Sequence, residues 1–404
     1  MKIGVLTYFN VPNFGAQLQT FSTVGYLKRK GHDPVVINWV PADLEAMYAR
    51  RVSSAQLQAH KDFVAAYLPV TPLCRTEEEV IKVVDESSLD GMIHGSDALF
   101  KYEPERARRH FRKRKMRFVV NKPSISVEGL EGNVFWGHYL SKTEKSIPAS
   151  VYAVSSQNCP YQLLTFRERR QLRDGLKNFQ VISVRDAWTQ GMVEKIMGGR
   201  CVVPIDPDPV FSLNQNCSQF VPDKEEVLKR FGLPEHYVLF SFWTSKLSED
   251  YVAEMAKELE KNGLATVALP MPERLVGFGL NHKIQLPLNP LDWYALIKYA
   301  DGYIGERMHP IVVALHNAVP FFSFDEYGMD ECRQFRADSS KTYHIVKEAG
   351  FEACYFAYHS GAERPSAQSV AERILGFDRE KCMVFSKIMQ HNYEEGMGGI
   401  LSKM

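Results

Sequence analysis

Residues 302–320 hold the most informative combination of side chains in this chain. Residues 302–306 predict a short strand, and Pro310 is typical of the first turn of a helix, where its missing N–H loses no hydrogen bond. Arg307 and His309 would then follow the carboxyl end of a strand, where ligands bind in open α/β sheets. A guanidinium, an imidazole and a helix N-terminus together predict an anion site. A purely structural role is about equally well supported, with His309 capping the helix and Arg307 paired with a surface carboxylate.

Two further junctions, in the first half of the chain, carry polar residues. Asn13 and Gly15 follow the first predicted strand, where glycine allows close approach of the backbone and Asn13 can cap a helix or bind a ligand. Ser96 and Asp97 follow another predicted strand and would present a carboxylate to a sugar hydroxyl, although turn formation selects the same residue types. We treat these residues as substrate-binding or catalytic candidates. The spacing does not match GxGxxG, which disfavours a nicotinamide or flavin cofactor.

Charged residues also follow the later strands of this half. Asp186 is placed to cap the next helix, and Arg185 to enter a cleft, where Arg185 and Arg307 would clamp one doubly anionic ligand from opposite domains. Asp206 and Asp208 lie in a proline-rich turn. Paired aspartates suit a metal or a proton transfer, but an Asp-Pro turn explains them equally well.

Composition limits the classes of partner and compartment. The chain has 404 residues with 49 basic and 48 acidic side chains, so a net charge of +1 gives no general attraction to nucleic acid. No stretch approaches the roughly 18 consecutive apolar residues of a membrane span, which favours a cytoplasmic protein with at most peripheral membrane association. The seven cysteines never form a CxxC spacing, which favours reduced core thiols.

A dense basic run occupies residues 102–117. Such a run would suit a polyanion on the acceptor side of a cleft. Because Glu103 and Glu105 precede the basic residues, a solvated helix or loop is the favoured interpretation.

Alternating strand and helix patterns indicate the elements that position these residues. They predict an α/β protein of two doubly wound, Rossmann-like domains that face a cleft, at residues 1–218 and 219–375, followed by a C-terminal helix in 376–404 that crosses back. The predicted strands are 2–8, 34–39, 91–94, 150–154, 180–184, 200–205, 237–243, 265–269, 302–306 and 321–324. The predicted helices are 16–30, 225–231, 249–262, 290–299, 310–317, 367–375 and 379–394.

Taken in order, the junction motifs resemble the polysaccharide pyruvyl transferase family, which is similar in architecture to GT-B glycosyltransferases. One departure is Ala16, where many members carry an acidic residue. The resemblance covers most of the chain and rests on residues 13–16, 95–97, 182–186, 206–211, 307–309 and 318–320.

The resemblance implies transfer of the carboxyvinyl group of phosphoenolpyruvate to sugar hydroxyls of a cell-surface or exopolysaccharide precursor, as a pyruvate ketal. Arg185 and Arg307 would anchor the carboxylate and the phosphate, and His309 matches the catalytic position of the family and would protonate the enol carbon. The acceptor would be a saccharide or a lipid-linked saccharide, and neither a metal nor another cofactor is implied. Three carboxylates are available to deprotonate the sugar hydroxyl: Asp97, Asp186 and Asp208.

Two rival interpretations remain. A nucleotide-sugar glycosyltransferase of the retaining type would often carry a glutamate at the position of Val313, so the valine disfavours it, while inverting enzymes without that glutamate keep it open. A non-catalytic saccharide-binding protein would be free to lose Arg307 or His309, and both are present.

Overall fold

The computed structural model describes residues 1–112, 117–199, 202–243, 246–328 and 335–404. Two parallel sheets with flanking helices form its framework, one built from each half of the chain. This arrangement confirms the predicted α/β class with two Rossmann-like sheets.

The strands and helices are numbered in chain order. The strands are β1 (Lys2–Leu6), β2 (Asp33–Val36), β3 (Gly91–His94), β4 (Arg109–Arg112), β5 (Arg117–Val120), β6 (Ala149–Val154), β7 (Val181–Val184), β8 (Tyr237–Ser241), β9 (Ala265–Ala268), β10 (His282–Lys283), β11 (Gly302–Gly305), β12 (Phe321–Asp325) and β13 (Tyr355–Ala357). The helices are α1 (Phe14–Arg29), α2 (Ala42–Ala49), α3 (Ser54–Tyr67), α4 (Glu77–Glu86), α5 (Phe166–Leu176), α6 (Ala187–Met197), α7 (Leu213–Cys217), α8 (Lys224–Phe231), α9 (Glu249–Glu260), α10 (Pro290–Lys298), α11 (Met308–His316), α12 (Lys341–Glu348), α13 (Ala367–Leu375) and α14 (Arg379–Leu401).

The first sheet has the strand order β2-β1-β3-β6-β7, and the second has the order β10-β9-β8-β11-β12-β13. All their pairings are parallel, so the carboxyl ends of the strands in each sheet point the same way. The strand β11 is central in its sheet, where Ile304 pairs with Phe240 on one side and Phe322 on the other. Strands buried on both faces need continuous apolar sequence, which is why β8, β11 and β12 are rich in aromatic and branched side chains.

Helix α1 packs between the two halves of the chain. Its N-terminus is capped by Asn13, whose side chain accepts a hydrogen bond from the backbone N–H of Ala16 at 3.3 Å. Phe14 stacks on Trp293 of α10 with ring centroids 5.2 Å apart, which brings a helix of the second half against the first. Gln17 is buried on the same helix and binds the ring of His60 at 2.6 Å.

The C-terminal helix α14 also contacts the first half. The ring of Tyr393 packs edge-on against Tyr26 and Tyr152, with centroids 5.2 and 5.5 Å away. Glu394 forms ion pairs with Arg29 and Lys30 of the segment that ends α1. The helix runs to Leu401, seven residues beyond the predicted end at residue 394.

The structure corrects two local predictions. In the basic run, residues 109–112 form a strand that pairs antiparallel with 117–120, so the predicted helix or loop was wrong there, and residues 113–116 lie outside the described part. The predicted strand 200–205 is also wrong over its described residues. Residues 202–205 contribute only an isolated bridge from Ile205 to Val184, and 200–201 lie outside the description.

Within the described ranges, no helix combines the length and the apolar character needed to cross a bilayer. All five cysteines of the described residues are buried, and four of them carry free thiols: Cys74, Cys217, Cys354 and Cys382.

Buried histidines should make the fold sensitive to acid. Burial lowers the pKa of His60, His94 and His316 to about 3, below the unfolded value near 6.5. Their contribution to stability is therefore complete above pH 6.5 and is lost as the pH falls towards 3, at about 1.4 kcal/mol per pH unit for each ring. We expect the urea midpoint to fall steadily below pH 6.5. His316→Gln should reduce the slope, and a slope unchanged from that of the control, exposed His391→Gln, would contradict this account.

Candidate active site

A cavity of about 830 Å³ is lined by residues of both halves of the chain. Of the residues predicted from the sequence, Asn13 and Asp97 line it from the first half, and Arg307 and His309 line it from the second. The junctions after β1, β3 and β11 thus meet at one place, as the carboxyl ends of parallel strands should.

Arg307 lies between β11 and α11, as the sequence predicts. It is the N-cap residue of the helix and has φ of 72°, a conformation that a non-glycine residue adopts at an energetic cost. Its Nη2 lies 3.1 Å from Oε1 of Glu273, and its guanidinium lies 4.7 Å from the ring centroid of Trp243. About a third of the side chain stays exposed to the cavity, so the guanidinium is held in place and remains accessible.

His309 is the second residue of α11 and is almost completely buried. Gly15 of α1 lies directly against its ring, since a Cβ built on Gly15 would be 2.0 Å from Cγ of the imidazole. Burial lowers the pKa of His309 to about 4, although Asp208 and Asp97 act to raise it. The imidazole is therefore neutral at neutral pH, and its Nε2 has no hydrogen-bond partner among the described residues.

Asp208 lies behind the cavity at 1% exposure. Its Oδ2 accepts hydrogen bonds from Nε2 of Gln19 at 2.5 Å and from Nη1 of Arg185 at 2.6 Å, and its Oδ1 accepts one from the N–H of Val210. The same Oδ2 is 3.7 Å from Nε2 of His309. Asp208 thus joins the first half of the chain to the imidazole of the second.

Arg185 is placed differently from the cleft position that we predicted. Its side chain is 2% exposed and lies beside Asp208, outside the lining of the large cavity. Its Nη2 approaches Oδ1 of Asp97 at 3.7 Å, but neither Nη2 nor Nε donates a hydrogen bond within the described residues. A buried guanidinium needs such a carboxylate partner, because an unpaired buried charge is strongly destabilising.

Asp97 is the predicted carboxylate that reaches the cavity. Its Oδ1 accepts a hydrogen bond from the N–H of Ala98 at 2.8 Å. Burial acts to raise the pKa of Asp97, but the charges of Lys341, His309 and Arg185 outweigh it, and the net result is a lowered pKa. The side chain is consequently a carboxylate at neutral pH.

Lys341 is a site residue that the sequence analysis missed. It lines the cavity as the first residue of α12, after the cap Ser340. Burial, with the positive charge of Arg185, lowers its pKa to about 8. A cation in the first turn of a helix is unfavourable next to the positive end of the helix dipole, and this anomaly is the signal in the sequence that points to a binding role.

Two other predicted residues serve the fold around the site. Ser96 is buried and donates a hydrogen bond from Oγ to the carbonyl of Ala153 at 2.6 Å. Asp186 caps α6 through the N–H of Thr189 at 2.8 Å and accepts a hydrogen bond from Ser155 at 2.7 Å. Neither lines the large cavity, so their predicted substrate contacts remain predictions.

The family model for polysaccharide pyruvyl transferases matches residues 13–326, which include every junction described above except Lys341. The chain belongs to the polysaccharide pyruvyl transferase family. No curated protein sequence matches this family member.

Solved structures with similar folds include glycosyltransferases of the GT-B type. UGT2 of Phytolacca americana, in complex with UDP-2fluoro-glucose and pterostilbene, is 12% identical, with a TM-score of 0.52 and coverage of 100% of this chain and 99% of that chain. LpCGTa in complex with UDP is 11% identical, with a TM-score of 0.50 and coverage of 100% and 98%. At these identities, the likeness establishes for this pyruvyl transferase family member a GT-B-like fold and nothing about its substrates.

The contact between Gly15 and His309 leads to a sharp prediction. Gly15→Ala should displace the imidazole, because the added methyl group would overlap the ring, and overpacking of this kind costs about 1–3 kcal/mol. Gly398→Ala is the matched control in α14, where nothing lies within 4 Å of the new Cβ, so a gain of about 0.5–1 kcal/mol is expected there. Urea denaturation of both variants measures the difference, and equal stabilities would contradict the packing described here.

Proposed function

We propose that this protein transfers the pyruvyl group of phosphoenolpyruvate to two hydroxyls of a saccharide precursor of a cell-surface or exopolysaccharide, forming a ketal. The observation that carries the proposal is the meeting of His309, Asp97, Arg307 and Lys341 at one cavity in a member of this family. These four side chains provide a proton carrier, a carboxylate and two cations, which are the groups that this reaction needs.

The two cations of the cavity are suited to the donor. Phosphoenolpyruvate carries a phosphate and a carboxylate, and Arg307 and Lys341 come from different elements on the cavity wall. A guanidinium binds a planar carboxylate with two parallel hydrogen bonds, whereas an ammonium acts as a point charge for a phosphate. We therefore give Lys341 the anchoring role that the sequence had suggested for Arg185. Arg185 instead supports the site, because it pairs with Asp208 and approaches Asp97.

His309 would supply the proton for the enol carbon. Its imidazole is neutral without a ligand, since burial lowers its pKa to about 4. A bound trianion would raise this pKa and bring a proton to the ring, and Asp208 at 3.7 Å would stabilise the imidazolium. Transfer of that proton to the methylene carbon makes a methyl group and leaves C2 electrophilic.

Asp97 would act on the acceptor as a base. It takes the proton of the first sugar hydroxyl as that oxygen bonds to C2, the C2–O bond to phosphate then breaks, and the second hydroxyl bonds to C2. The two hydroxyl protons balance the one delivered to the methyl group and the one carried away by hydrogen phosphate. Asp97 is favoured over Asp186 and Asp208 because it lines the cavity, while the other two bind groups inside the fold.

We also propose a cytoplasmic location. Cys74, Cys217, Cys354 and Cys382 are buried free thiols, which is typical of proteins kept in a reducing compartment. Phosphoenolpyruvate as the donor fits the same compartment, because it is a product of central metabolism.

Calorimetric titration with phosphoenolpyruvate and, separately, with UDP tests the donor without knowledge of the acceptor. We expect phosphoenolpyruvate to bind and Arg307→Ala to weaken that binding by about 2 kcal/mol or more, the scale of a lost charge-assisted hydrogen bond. Arg274→Ala is the matched control, because Arg274 also contacts the Trp243 ring but does not line the cavity. Binding of UDP in place of phosphoenolpyruvate would reassign the protein to the nucleotide-sugar glycosyltransferases.

The pH dependence of the same titration tests Lys341. Because its pKa without ligand is about 8 and the donor binds the ammonium, loss of this proton should add a fall in affinity of about tenfold per pH unit above pH 8. Lys341→Met should bind weakly at neutral pH and lose this decline. Lys298→Met is the control, since burial also lowers the pKa of Lys298 but it lies outside the cavity lining. A wild-type affinity that stays constant well above pH 8 would remove Lys341 from donor binding.

A further inference from the structure

The strand pair β4 and β5 belongs to neither large sheet. Its antiparallel register places Arg109 opposite Val120 and Phe111 opposite Phe118, and side chains alternate between faces along a strand, so these four share one face. That face is open, with Phe111 exposed to 45%, Phe118 to 59% and Val120 to 45%. We call this set of four residues the β4–β5 face.

The β4–β5 face is organised by contacts among its own side chains. The rings of Phe111 and Phe118 pack edge-to-face with centroids 5.2 Å apart. The guanidinium of Arg109 lies 4.2 Å from the centroid of Phe118. Two aromatic rings with a guanidinium stacked over one of them form an amphipathic surface, which is unusual at such exposure.

The sequence that carries this face is strongly basic. Residues 106–117 contain eight lysines and arginines and no acidic residue, in a chain whose net charge is only +1. Arg106 and Arg109 are exposed, whereas Arg108 is bound to the carbonyls of Glu103 and Asn121 and fixes the base of the strand pair. The sequence thus concentrates basic residues in the segment that carries the exposed rings, and Arg109 lies over one of them.

The strand pair extends from the rim of the candidate active site. Lys101 and Glu103, which precede it, and Ser124 and Glu128, which follow it, all line the cavity. These two connections are tied together, since Ser124 donates hydrogen bonds to the Glu103 carboxylate and Lys101 forms an ion pair with Glu128. Whatever binds the β4–β5 face is therefore held close to the cavity.

We propose that the β4–β5 face docks on an anionic lipid bilayer. Phenylalanines enter the boundary between headgroups and acyl chains, and lysines and arginines beside them attract anionic headgroups at about fivefold in affinity for each cation. A soluble polyanion would satisfy the cations but would leave both rings in water, which is why the bilayer is the better partner. The docking itself does not depend on the proposed donor chemistry. The role of docking in the reaction does rest on the proposed function, because docking would let a lipid-linked saccharide reach the cavity from the membrane surface.

Vesicle co-sedimentation of the full chain tests the proposal. Wild-type protein should bind vesicles of phosphatidylcholine with phosphatidylglycerol, bind pure phosphatidylcholine weakly, and dissociate as salt is raised. Arg106→Glu with Arg109→Glu should weaken binding at least about 25-fold, from two lost cations. The charge-matched control is Lys229→Glu with Lys257→Glu, two exposed lysines of the other half, and it should bind nearly as wild type.

A second pair of variants isolates the rings. Phe111→Ser with Phe118→Ser should also weaken vesicle binding at least about tenfold, since each ring loses its apolar contact with the bilayer. Val384→Ser with Ile388→Ser, at comparable exposure on α14, should not. Absence of wild-type binding to the anionic vesicles would overturn the proposal. The proposal would also be overturned if the arginine variant lost vesicle binding while the phenylalanine variant kept it in full. That result would indicate that the natural partner of the β4–β5 face is a soluble polyanion. Circular dichroism and phosphoenolpyruvate titration of each variant separate these outcomes from misfolding and from failure of the donor hypothesis.

Discussion

The buried carboxylate of Asp208 is the interaction on which the candidate site depends. A charge at 1% exposure is costly unless it is fully paired, and here Gln19, Arg185 and a backbone N–H supply the partners. Gln19 belongs to α1 and Arg185 follows β7, so one carboxylate fixes a helix and a strand end of the first half. His309 of the second half then meets the same oxygen at 3.7 Å. The hydrogen bonds that hold Asp208 in place therefore also fix the carboxylate that the imidazole of His309 faces.

The charge states around Asp208 form a consistent set. Burial lowers the pKa of both His309 and Lys341, and the nearby cations lower the pKa of Asp97. In the absence of a donor, these side chains therefore hold fewer protons than they would hold in water. An anionic donor would raise the pKa of both His309 and Lys341, because its charge favours their protonated forms. Ligand binding and activation of the proton donor are two results of one electrostatic change.

The bounds of several strands and helices could be predicted from the sequence because they depend on neighbouring residues alone. Strand β3 and helix α13 have the predicted bounds, and β11 ends one residue early, because buried apolar runs and capping residues act over a few positions. Arg307 and His309 were placed at the site because the carboxyl ends of parallel strands converge. The pairing of Arg185 with Asp208 was out of reach, since it depends on which of several nearby carboxylates the tertiary fold brings close. Lys341 was missed for a different reason: no strand precedes it directly, and its place in the first turn of a helix was the only local signal.

The packing of Gly15 against His309 has a consequence for motion. The two residues belong to helices from different halves of the chain, and the glycine backbone is part of what keeps water from the ring. Because burial is the main cause of the low pKa of His309, separation of α1 from α11 would hydrate the imidazole and restore its basicity. The pKa of His309 therefore depends on how closely α1 and α11 pack against each other. A hinge movement in this protein would be, at the same time, an acid–base event.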